Sequence, residues 1–173
     1  MELATALFDG VADAWRVAAP RAFRFDRSNP RATEWAADHA GDLIGGISKT
    51  TREDIRDLVE ASFDEQFDVA ELAGRIADLL GDDARADVIA RTESMKAANE
   101  GQRQLWEQAQ DKGLLGKNAQ QEWIVGDDEK LCPICQDMDG VQVGLDEDFN
   151  VDGEDIDGPP AHPNCRCTVA LVP

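Results

Sequence analysis

Cys132, Cys135, His162, Cys165 and Cys167 are the residues whose types and spacing can do chemistry. All four cysteines and one of the two histidines fall in the last quarter of the chain. Cys132 and Cys135 stand in "CPIC", with the two-residue spacing that lets one tight turn present both thiolates to an ion. Pro133 stiffens that turn. "PPAHPNCRC" then brings His162, Cys165 and Cys167, and the last two, two apart, face the same side of an extended segment. A structural zinc site takes four protein ligands, and five are offered. Cys132, Cys135 and Cys165 are the firm members of the set, and either His162 or Cys167 completes it.

Other chemistry competes for the same thiols. A disulfide could join the two halves, and free buried thiols are a further alternative. A thiol oxidoreductase would place the second cysteine of C-x-x-C in a helix after a strand, whereas here "QDMDG" leads into a turn. A zinc deaminase needs H-x-E ahead of its cysteines, but Ala40 and Gly41 follow His39. His39 has no acid or nucleophile in a readable arrangement with it. Glycine-rich phosphate loops and serine nucleophile elbows are absent from the sequence. "DFNVDG" opens like a calcium loop, with Asp148, Asn150 and Asp152 at alternate positions and Gly153 at the turn. The glutamate required at the twelfth loop position is replaced by Pro159, so an acidic surface loop is the favoured reading and calcium the lesser one. "RTES" puts Arg91 and Glu93 on a long helix, where composition alone makes them a solvated face.

These residues need elements to hold them. Leu3, Leu7, Val11, Ala14 and Trp15 have helical spacing up to Pro20, and the basic stretch "RAFRFDR" follows as a docking arm. Helix resumes from Pro30 and fades at Gly45-Gly46. Thr50 and Glu53 have capping-box spacing ahead of Ile55, Leu58, Val59, Ser62 and Phe63. Asp68 can cap a second helix, whose apolar residues from Val69 to Leu80 repeat the pattern until Gly81. A long helix is expected from Asp82 or Asp83 to about Lys112, with Val88, Met95, Leu105, Trp106 and Ala109 along one side. Beyond it, "QEWIV" and "CTVALV" read as strands, and the Asp139-Gly140 turn feeds a short one. The fold class is therefore α+β. An N-terminal helix and arm occupy 1–29, a helical body 30–117, and a β-rich Cys/His module 118–173. The module is too small to hold itself together without a staple or a large neighbour.

Composition limits the partners. The 173 residues carry a net charge of −19, from 36 acidic against 17 basic side chains. Such a charge repels nucleic-acid backbones, leaving the basic arm as the one candidate for DNA contact. It also fits a protein kept soluble in high salt, so a halophilic origin is an expectation. The first residues lack a secretory signal, and no stretch approaches 18 apolar residues. A reducing cytoplasm is thus the expected compartment, which favours metal over disulfide.

Taken in order, "IARTESMKAANEGQ", Trp123, Asp127 or Asp128, "CPIC", Asp139-Gly140 and "PPAHPNCRC" resemble the phage Mu F-like minor head proteins, a family of head morphogenesis proteins. The resemblance spans residues 89–167 and also takes in Thr92, Asn99 and Asn164. It implies a minor component of a tailed-virus head, bound to the portal or the inner capsid surface, located in the virion and made in the host cytoplasm. It further implies that Arg91 and Glu93 anchor the long helix to the "CPIC" or "NCRC" backbone. Some relatives carry an added toxin or enzyme domain; with six residues after Cys167, none is expected here. The main expectation is a non-enzymatic assembly protein binding portal or major capsid protein in multiple copies, without a membrane. The alternative is an enzyme using the cysteine cluster as a catalytic zinc or thiol site.

Overall fold

The computed structural model describes residues 33, 37, 38, 40, 45–126 and 132–173. The expected N-terminal helix, the basic arm, His39, Asp127 and Asp128 lie outside the described residues.

Three helices build the body. Helix α1 (Lys49–Asp64) is capped by Ser48, whose hydroxyl accepts from the Thr51 amide at 3.1 Å. The cap therefore sits two residues ahead of the expected Thr50. Helix α2 (Val69–Leu80) starts on Asp68, which accepts from the Glu71 amide, and stops at Gly81 with φ 66°. That left-handed turn is open to glycine at little cost. Asp82 caps the long helix α3 (Asp83–Asp111). Ile55 and Val59 of α1, Leu72 and Ile76 of α2, and Ala86, Ile89, Ala90 and Ala97 of α3 form one apolar core.

The C-terminal part is a set of small antiparallel sheets. Strand β1 (Gln120–Ile124) lies between β2 (Gln142–Gly144) and β5 (Thr168–Val172), with Trp123 paired to Val169. Strands β3 (Phe149–Val151) and β4 (Glu154–Ile156) form a separate hairpin. One helical turn, α4 (Pro133–Gln136), carries the C-x-x-C segment. The second core gathers Trp123, Phe149, Leu145, Val169, Cys135, Cys165 and Cys167 around Trp106 of α3. Trp123 and Phe149 meet edge to face, with ring centroids 5.2 Å apart.

Helix α3 belongs to both cores. At 3.6 residues per turn, Ala86, Ala90 and Ala97 lie roughly opposite Thr92, Asn99, Gln102 and Trp106 around its axis. The body covers one side and the sheets the other. Of the expected stripe, Trp106 and Ala109 are buried and Val88, Met95 and Leu105 are half-buried, while Thr92, Glu93, Asn99, Glu100 and Gln102 are buried as well.

Candidate metal centre

Two tight turns present the soft ligands. In the first, Cys132 is the N-cap of α4, and its sulfur accepts from the Cys135 amide at 3.3 Å. In the second, the Cys165 amide donates to the His162 carbonyl at 3.1 Å. The turns converge: His162 Nε2 lies 3.0 Å from Cys132 Sγ and 3.1 Å from Cys135 Sγ, and Cys135 Sγ lies 3.7 Å from Cys165 Sγ. The donor atoms of Cys132, Cys135 and His162 lie within 4.8 Å of one another, and so do those of Cys135, Cys165 and Cys167. Cys135 belongs to both groups. All four thiols are free, and these side chains can hold a metal ion.

The environment sorts the donors. Cys135, Cys165 and Cys167 are buried, whereas Cys132 and His162 are half-buried. A hydrogen bond from the Cys167 thiol leads the effects that lower Cys165 to about 5, helped by backbone amides and Cys135 against the cost of burial. Burial first, and then the neighbouring thiols, push Cys135 up to about 12. Cys167 is raised, by its side-chain bond with Cys165 and by burial. At Cys132 burial is outweighed by the Cys135 amide and His162, and the thiol is lowered. At His162 burial is outweighed by the Pro163 carbonyl and Cys132, and the imidazole is raised. A cluster of thiols with one thiolate already favoured and an imidazole beside them can exchange protons for a metal.

Helix α3 holds the second turn by polar contacts. The Thr92 hydroxyl accepts from the Asn164 amide at 2.9 Å and itself donates to the Val88 carbonyl. Arg91 Nη1 donates to Asn164 Oδ1 at 2.7 Å. Asn164 has φ 64°, a left-handed conformation that asparagine tolerates better than most residues. Asn99 Nδ2 donates to the carbonyls of Pro159 and Cys167 at 2.9 and 3.3 Å, and Asn99 Oδ1 accepts from Thr168 Oγ1 at 2.8 Å. Gln102 Nε2 donates to the Val169 carbonyl.

A family model described as phage Mu protein F like matches residues 53–170. The chain belongs to this family. The match runs through the helical body, the long helix and the sheets, so the Mu F-like unit includes both cores and the Cys/His turns. Among curated proteins, this Mu F-like chain is 31% identical over 90 residues to NAD(+)–arginine ADP-ribosyltransferase EFV of Enterococcus faecalis. The aligned part is 49% of this chain and 18% of that protein, so the chain spans under a fifth of its relative's length. No solved structure matches the chain.

The Mu F-like motif residues fall into place unevenly. Arg91 reaches the side chain of Asn164, and Thr92 and Asn99 meet the "NCRC" backbone at the Asn164 amide and the Cys167 carbonyl. Glu93 is fully buried, in helical phase with Ala86, Ala90 and Ala97. The "DFNVDG" segment forms the β3–β4 hairpin, turning on Asp152 and Gly153, both with positive φ. Asn150 donates to the Asp155 carboxylate across the strands. An Asp-Gly pair suits a two-residue hairpin turn, and alternating Phe149 and Val151 bury one face. Gln102 and Thr168 escaped notice in the sequence. The spacing of Thr92, Asn99, Gln102 and Trp106, continuous on one helical face, was the available signal.

Proposed function

We propose that the protein is a non-enzymatic minor component of a tailed-phage head that acts during head assembly, docking on the portal or the inner capsid surface. The family match over residues 53–170 carries this reading, because it runs from the first turns of α1 into β5 and takes in everything between. The Cys/His cluster then serves as a clasp, with zinc as the ion its sulfur and imidazole donors suit. Exposed Val69 and Leu79 on α2, with Leu114 and Ile134, offer apolar contacts to a capsid partner. Among the described residues no helix is long and apolar enough to cross a membrane, in keeping with assembly in the host cytoplasm and residence in the virion. The acidic excess supports a protein at home in high salt; a melting temperature that fails to rise through molar salt would oppose that.

The test is co-expression with the portal and major capsid proteins of the same virus. Co-purification with one of them, and malformed heads when the chain is omitted, are expected. Normal heads without it, and no association with either protein, would overturn the proposal. The name of the Enterococcus faecalis relative favours one enzymatic reading, transfer of ADP-ribose from NAD+ to arginine. Incubating the chain with NAD+ and an arginine ester discriminates, and no transfer is expected. A catalytic zinc needs an open coordination position, which five clustered protein donors do not favour.

A further inference from the structure

The metal-clasp reading leaves a choice among five donors, and the inference here rests on that reading. Each of the two turns offers a pair at the same spacing. Cys132 and Cys135 flank two residues, and so do His162 and Cys165. Both turns are closed by hydrogen bonds, Cys135 N–H to Cys132 Sγ in one and Cys165 N–H to His162 C=O in the other. Cys167 belongs to neither turn. It leads directly into β5, its carbonyl is held by Asn99, and its side chain sits 1% exposed in the second core with Trp123.

The imidazole is already oriented as a ligand. His162 Nδ1 lies 2.9 Å from the Pro163 carbonyl. A carbonyl can only accept, so Nδ1 carries the proton in neutral imidazole and the Nε2 lone pair faces outward from the ring. That nitrogen is the atom against both Cys132 and Cys135 sulfurs. Such an Nδ1–H to backbone contact is the usual partner of a metal-bound histidine. The 3.7 Å between Cys135 and Cys165 sulfurs is close to the separation, about 3.8 Å, of two thiolates on one tetrahedral zinc. Putting Cys167 in place of His162 would push the imidazole away from both sulfurs it touches. Either four-ligand set asks one donor to close on a trio it lies outside, Cys165 here and Cys132 in the alternative, and Cys165 is the one already at thiolate spacing from a member.

We propose that one ion is held by Cys132, Cys135, His162 through Nε2, and Cys165, with Cys167 left outside the ligand set in the apolar core. This makes a three-sulfur, one-nitrogen site.

The test uses the full chain, stripped and reloaded with zinc or cobalt(II). X-ray absorption at the zinc edge is expected to count three sulfur neighbours and one nitrogen, and cobalt to bind at one equivalent with the matching absorption spectrum. Cys167→Ser should keep one equivalent of cobalt with affinity within about 10-fold, whereas His162→Ala should weaken it by more than about 100-fold. Four sulfurs in the wild-type zinc spectrum would overturn the ligand set while leaving the metal clasp standing. So would a Cys167→Ser protein that folds yet loses the ion. Where Cys167→Ser fails to fold, the wild-type neighbour count decides alone. A wild-type chain that takes up neither ion would overturn the clasp itself, and the ligand set with it.

Discussion

Replacing Asn99 by alanine should loosen the sheets from the long helix. The carboxamide is 6% exposed and serves three groups: the Pro159 and Cys167 carbonyls and the Thr168 hydroxyl. Alanine leaves all three without that partner, and an orphaned buried polar group costs about 1–3 kcal/mol. Thr168 is half-buried and each carbonyl retains a second lone pair, so the low end applies to each. The sum is about 3 kcal/mol. In a chain of this size that is a fall in melting temperature of roughly 6–12 °C. Urea unfolding followed by tryptophan fluorescence measures it, since Trp106 and Trp123 are buried in the affected core. Asn99→Asp keeps the size and the acceptor for Thr168 but turns a carboxylate toward two carbonyls, and should be at least as damaging. Asp87→Ala, at an exposed position of the same helix, is the control and should stay within about 0.5 kcal/mol. A loss below about 1 kcal/mol for Asn99→Ala, with an unchanged urea slope, would show that the polar stripe does not fasten the sheets.

Thr92→Val keeps the shape but removes the acceptor of the Asn164 amide, and should cost about 1 kcal/mol by equilibrium unfolding and speed hydrogen exchange at that amide. Ile76→Ala, in the body core, should cost about 2–5 kcal/mol and add to Asn99→Ala within roughly 0.5 kcal/mol, since the two sites share no partner. Stripping metal with a chelator should shift tryptophan emission to the red while far-ultraviolet dichroism retains most of the helical signal; a simultaneous loss of both signals would contradict two separable cores. In the metal-free chain, Cys165 is held below the ordinary thiol value of 9.0, at about 5. Its contribution is therefore full above pH 9 and fades as pH falls toward 5. Cys135, raised to about 12, acts oppositely: its contribution is present below pH 9 and is lost as pH rises toward 12. Urea midpoints in chelator should accordingly climb from pH 5 and decline again above pH 9.

Local signals in the sequence were legible where one residue decides a conformation. Asp68 and Asp82 as caps, Gly81 as a stop, and the strands at Trp123 and Val169 follow from side-chain hydrogen bonding, backbone freedom and alternation. The α1 cap was harder, because Ser48 and Thr50 are both competent and only packing of Ile55 and Val59 sets the phase. The Cys and His types announced a soft-ligand cluster, but which donors face one another depends on two turns meeting across the sheet. Least visible was α3, because an apolar stripe is what a single buried face shows. Here the second face is buried too, and it pairs with backbone carbonyls, so Thr92, Asn99 and Gln102 look like solvent-facing residues until their partners are known. "DFNVDG" was read as an acidic surface loop, and its Asp-Gly pair is also what turns the β3–β4 hairpin.

Burying opposite sides of one helix ties the two cores together by phase. Each residue of α3 advances about 1.5 Å and turns about 100°. One residue inserted between Ala90 and Thr92 would swing Asn99, Gln102 and Trp106 by more than a quarter turn relative to the upstream body contacts. The sheets would then have to follow them around the helix or let go. Seven inserted residues restore the angle to within about 20° and add only length. The long helix thus works as a key cut on two edges, tolerant of what is written on its exposed positions and intolerant of a change in count.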